Sequence, residues 1–180
     1  ERVVGWMDSI DQAAAELKTR SGLDQISLFG LHLGATLAAQ VAASTHRAAS
    51  AVLWAPLLQG KQLTRQIRAY GALNGREPLA GTDQEAGGFL YRGDTLDALS
   101  NIDLLTSDSP APRVLLLQKD AGSHEQKLAS AWRARGVEVT CEVCVGYGDM
   151  MQEPRSSRVP DQMIDRVVEW LAAAHPSVPA

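Results

Sequence analysis

His32 stands in the middle of Gly30-Leu31-His32-Leu33-Gly34, after the run Ile26-Ser27-Leu28-Phe29 and before the small-residue run Ala35 to Ala43. The first run reads as a short buried strand and the second as a helix. A strand, a Gly-x-X-x-Gly turn and a helix form a layout that lifts one side chain above the end of a sheet. The glycines let the backbone turn sharply and let the helix lie close to the strand. The residue held in such a turn is commonly a serine nucleophile. An imidazole in its place offers general acid–base chemistry instead, and a His–carboxylate pair moves protons without a covalent step. The spacing by itself is weak, because Gly71 and Gly75 repeat it with no strand before them. The plainer reading is a strand-to-helix turn of any parallel sheet, with His32 solvated.

The elements that must position this turn follow in chain order. Val3, Trp6, Met7, Ile10, Ala13, Ala14 and Leu17 recur at helical spacing, so residues 2–20 are predicted helical, with Gly22 as the stop. The strand at 26–29 and the helix at 35–43 come next. His46 ends that helix with favourable dipole placement. Ala51-Val52-Leu53-Trp54 is the second strand, ended by Pro56, and the interval fits one right-handed crossover between parallel neighbours. Residues 57–111 contain no clear strand. Helices are expected over 59–70 and 95–102, with loop over 73–88. So long a connection reads as an inserted lid over the carboxyl ends of the strands. Arg113 to Gln118 is the third strand, and Lys119-Asp120-Ala121-Gly122 turns the chain. Ser123 and Gln126 have capping-box spacing for a helix to about Arg135, with His124 solvated at its start. Val137 to Val145 alternates as the fourth strand, residues 146–151 form a loop, and Pro160 opens a last helix. The tail from His175 is expected to fray.

Bulk properties narrow the function classes. The 180 residues suit one domain with a sizeable core. A net charge of -4 without a long basic run argues against nucleic acid as a partner. No apolar run approaches the ~18 residues of a membrane span. No signal peptide is visible, and a cytoplasmic location is the default. The two cysteines, Cys141 and Cys144, sit at i and i+3 of a strand and point to opposite faces, which favours packing over a redox or metal site. The chain starts at Glu1 rather than Met, which leaves room for an upstream segment.

Helix, β, α, β, lid, β, α, β, α argues for an α/β fold: a mostly parallel sheet with helices on both faces. Residues 30–38 (GLHLGATLA), 53–56 (LWAP) and 146–154 (GYGDMMQEP) resemble the C-terminal part of the α/β-hydrolase superfamily. Within it they look like the bacterial exosortase-system-associated, serine-aminopeptidase-like hydrolases. The resemblance spans nearly the whole chain. It implies one partial α/β-hydrolase-like domain over 1–180, with the lid-like insertion at about 57–111 and the N-terminal strands missing from this chain.

The resemblance also implies a triad in the order nucleophile, acid, His. Those slots hold His32, Asp120 and Asp149, so the triad is degenerate. Neither Ser27, in the strand, nor Thr36, in the helix, can supply the missing hydroxyl. Of the oxyanion-hole donors, the Leu33 backbone N–H alone keeps its place. Two readings follow. His32 acts as a general base oriented by Asp149 or Asp120, or the chain is a catalytically inactive homologue that binds a ligand or partner. A carboxylate beside the ring would raise the His32 pKa. A pocket for a small acyl or peptide-like ligand would favour the first reading, and a lid packed shut over the turn the second. Nucleotide binding is a distant third, because Gly-x-Gly-x-x-Gly is absent. No cofactor and no metal are expected. The strand at 26–29 would be an exposed edge if nothing precedes it, so an N-terminal half-chain or self-association through that edge is expected.

Overall fold

The structure is a computed structural model that describes residues 2–73, 82–121 and 124–175. Helix α1 (Arg2–Ser21) turns Val3, Met7, Ile10 and Ala14 inward, while Trp6 and Leu17 of the predicted stripe face solvent. Strand β1 (Ile26–Leu31) leads through His32 into α2 (Leu33–Thr45), and β2 (Ala48–Trp54) follows. The insertion holds α3 (Gly60–Leu73), β3 (Gln84–Ala86), β4 (Phe89–Tyr91) and α4 (Gly93–Ser100). The chain then continues through β5 (Arg113–Gln118), α5 (Glu125–Arg133), β6 (Glu138–Val143), the single turn α6 (Tyr147–Met150) and α7 (Asp161–Ala174).

The main sheet runs β1-β2-β5-β6, and every neighbouring pair is parallel. Parallel strands covered on both faces read as continuous apolar runs. Val52, Leu53 and Val114 to Leu117 are fully buried, as that rule requires. Leu53, Val114 and Leu116 face α2 and α5, where Leu128, Ala129 and Trp132 complete one core. Val52, Trp54, Leu115 and Leu117 face the opposite way, onto Met163, Val167 and Trp170 of α7. The period of two along each strand is what divides these cores. Cys141 joins the first core and Cys144 the second, and both thiols are free. Burial pushes both thiols above their ordinary pKa, which keeps them protonated and unreactive.

Helix α2 lies close on the sheet because its inward residues are small: Ala35, Ala39 and Ala42 are all but completely buried. Gly30 sets the approach. A Cβ there would stand 2.5 Å from the Ala35 Cα and 2.6 Å from the Ala35 N, both backbone atoms.

The interval expected to lack strands contains a small antiparallel hairpin, β3–β4. Gly87 and Gly88 at its turn have φ of 58° and 81°, the left-handed pair that two-residue hairpin loops favour. Three-residue strands are too short to show alternation, which is why the sequence reads as loop. Ile67, Ala86 and Leu96 give the insertion a small core of its own. The remainder of the expected loop, 74–81, lies outside the described residues, as does Ser123 of the expected capping box. His124 occupies the N-cap of α5.

The expected loop after β6 contains the helical turn α6. The chain end also differs from expectation at His175. Its Nε2 lies 3.1 Å from the Ser27 Oγ and 2.9 Å from the Ser50 Oγ, and the two hydroxyls are 2.7 Å apart. Beside it, Arg113 donates to the Ala174 carbonyl at 2.9 Å and forms a two-pronged pair with Glu138. Arg166 pairs with Glu142, and the Trp170 indole donates to Thr140. The contacts of His175 and Ala174 fasten the end of α7 at the amino ends of β1, β2 and β5, and those of Arg166 and Trp170 fasten its length along β6.

Candidate active site

His32 has φ 53° and ψ -119°. This is the conformation of the first central residue of a type II′ turn, a place ordinarily held by glycine. A non-glycine residue there stores strain, and such strain collects at functional sites. The surroundings hold it from three sides. The His32 N–H donates to the Trp54 carbonyl at 2.8 Å, extending the β1–β2 ladder by one step. Its carbonyl accepts from the Thr36 N–H at 3.2 Å. The buried Thr36 hydroxyl donates to the Leu57 carbonyl at 3.0 Å and accepts from the Leu57 N–H at 2.9 Å, joining α2 to the segment after β2. Ala55, at the end of the neighbouring strand, also has a positive φ of 45°.

Both strained residues face one cavity of about 230 Å³. Ala55, Pro56, Leu57 and Leu58 form its apolar wall. Gln62 and Gln66 reach it from α3, where the i, i+4 spacing puts both amides on one helix face. Lys119 comes from the end of β5, His124 and Glu125 from the start of α5, and Tyr147 from α6. The space therefore lies at the carboxyl ends of the strands, where open α/β sheets bind ligands.

Burial lowers the His32 pKa from its ordinary 6.5, and the nearby Lys119 charge lowers it further. The expected upward shift is thus reversed: no carboxylate contributes, and the nearest effective charge is cationic. At neutral pH the ring is an unprotonated base. No side-chain hydrogen bond reaches it from the described residues.

The remaining residues singled out in the sequence sit around this centre. Asp120 is exposed, two residues beyond β5, and does not line the cavity. Asp149 is exposed on α6, where it accepts from the Gln152 amide at 3.2 Å and likewise lies off the cavity wall. Leu33 is the first residue of α2, so its N–H has no acceptor within the helix. Thr36 and Ser27 are engaged in structural hydrogen bonds, as their places in helix and strand demand. Among the described residues, no group of three or more His, Cys, Asp or Glu is placed to hold a metal ion, and no helix is long and apolar enough to cross a membrane.

Sequence reasoning missed Lys119, Glu125, Tyr147, Gln62 and Gln66 as cavity residues. Lys119 adjoins Asp120, and Tyr147 lies inside the quoted Gly-x-Gly-Asp run, so the right loops were in view. The apolar–polar pattern of α3 identified a helix without saying where its polar face would look.

No protein-family model matches the sequence, and a search of curated proteins finds no match. Solved structures do. Est1E from Butyrivibrio proteoclasticus is similar with a TM-score of 0.66 and 13% identity, over 96% of this chain and 70% of that one. The alpha/beta hydrolase GrgF from Penicillium sp. sh18 is similar with a TM-score of 0.57 and 16% identity, over 96% and 72%. With its parallel four-stranded sheet, helices on both faces and the sharp turn at His32, the chain has the fold of the α/β hydrolases.

Proposed function

We propose that the protein is a hydrolase-like enzyme in which His32 serves as a general base, without a covalent acyl intermediate. The observation that carries this reading is the open cavity in front of a strained, neutral imidazole. A lid packed shut over the turn would have argued the other way. In this reading the ring takes a proton from water as water attacks the carbonyl of a small acyl or peptide-like ligand held against the apolar wall, and gives it to the departing alcohol or amine as the acyl bond breaks. The Leu33 N–H and the Lys119 ammonium are then the groups available to meet the developing negative charge. Asp120 and Asp149 join only if the loops after β5 and β6 swing toward the cavity. The runs 30–38, 53–56 and 146–154 support a place near the exosortase-associated hydrolases.

The second reading is a catalytically inactive hydrolase homologue that binds a ligand or partner. It is favoured by the absence, among the described residues, of a hydrogen-bonding partner that would orient the His32 ring.

Hydrolysis of 4-nitrophenyl acetate separates the two. The first reading expects burst-free turnover about 10²-fold above that of free 4-methylimidazole at the same concentration, a typical general-base contribution. His32→Gln should remove it, and a fluorophosphonate should label no serine. Equal rates for wild type and His32→Gln would leave the binding reading. Stoichiometric labelling of a serine would show that the nucleophile lies elsewhere.

A further inference from the structure

Glu125 is only 5% exposed, yet its side chain borders the cavity. Glutamate is rarely so buried unless it is paired. Among the described residues no ion pair or hydrogen bond involves its carboxylate. It is the first residue of α5, and the positive end of the helix dipole favours a negative charge there. A helix end offsets only part of the cost of desolvating a carboxylate. Burial chiefly, then Cys144 and last Glu125, raise the Tyr147 phenol above its ordinary range, so the carboxylate reaches this part of the cavity wall. A buried, unpaired carboxylate that opens into a cavity is a receptor for a cation.

Lys119 fixes the rest of the ligand. Its ammonium borders the same cavity, so a second cationic group would be repelled there. A carbonyl or carboxylate oxygen would be attracted. We propose that the cavity binds a small aminoacyl compound, its protonated amine on Glu125 and its carbonyl oxygen toward Lys119 and His32. The amide groups of Gln62 and Gln66 offer further hydrogen bonds from α3. This deepens the general-base reading by naming the substrate class, and rests on it only for turnover, not for binding.

L-alaninamide and L-lactamide test it by NMR titration, because they differ chiefly in an ammonium against a hydroxyl. The expected result is at least about tenfold tighter binding of alaninamide, the equivalent of ~1.4 kcal/mol. Glu125→Gln, which keeps the shape and removes the charge, should bring the two affinities together, while Glu125→Asp should retain a preference. His32→Gln should retain the full preference even if hydrolysis proves absent, so the two readings fail separately. Equal affinities in the wild type, binding of neither probe, or a preference that survives Glu125→Gln would overturn the proposal.

Discussion

The strained backbone at His32 makes a prediction whose sign runs against ordinary experience. At most positions glycine is worse than alanine by roughly 0.5–1 kcal/mol, because glycine loses more chain entropy on folding. At φ 53° and ψ -119° the Cβ of any other residue is strained. Such strain costs on the order of 1–3 kcal/mol. Comparing His32→Gly with His32→Ala cancels the loss of the half-buried ring and leaves only the backbone effect. Strain relief of about 2 kcal/mol less an entropy cost of about 0.7 leaves the glycine variant ahead by roughly 1 kcal/mol. For a chain of this size that is about 2–4 °C in Tm. Urea unfolding of the two variants at neutral pH measures it. An alanine variant as stable as the glycine variant, or more so, would mean that the turn is unstrained and that the site argument built on it is wrong.

Further outcomes follow from the same geometry. Gly30→Ala should cost at least about 1–3 kcal/mol, the range for overpacking, because the new methyl meets backbone atoms of α2 at 2.5–2.6 Å; a neutral result would show that α2 can slide away freely. The depressed His32 pKa ties stability to pH. Below the ordinary 6.5 the unfolded state takes up a proton that the folded state resists, so this contribution is complete above that value and declines as pH falls through the folded-state pKa. Urea midpoints should therefore drop between neutral and mildly acidic pH, and His32→Gln should flatten that drop; an unchanged slope would refute the assignment. Strand β1 is an edge of the sheet and carries Phe29, 55% exposed, so light scattering should show self-association or capture of a supplied upstream segment; a monodisperse monomer would oppose this.

How much of this was legible in the sequence depends on the scale of the signal. Runs such as Val114 to Leu117 declare buried strands, and the crossover rules then fix a parallel order. The turn at His32 was visible because two glycines and a strand-to-helix change coincide there. The cavity wall was less legible, because it is assembled from α3, the end of β5, the start of α5 and α6, and no local pattern records that meeting. Glu125 shows the difficulty most clearly: at the first position of a helix an acidic residue is ordinary, and nothing nearby in the chain announces its burial. The direction of the His32 shift was misread for the same reason. The aspartates one or two residues from the cavity were legible, whereas the desolvation that dominates the shift belongs to the assembled fold.

The fastening of α7 has a mechanical consequence. His175 and the Ala174 carbonyl are tied to Ser27, Ser50 and Arg113 at the amino ends of β1, β2 and β5, and Arg166 and Trp170 are tied to β6. The opposite end of the helix starts at Asp161, after the exposed stretch 151–159 and next to the turn that bears Tyr147. Met163 and Val167, both buried, hold that end against the sheet as well. The helix is in this sense a brace held at both ends, one beneath the sheet and one beside the turn that carries Tyr147. Its two ends stand some twenty ångströms apart, at about 1.5 Å per helical residue. One helix thus links the amino side of the sheet mechanically to the side that holds the site.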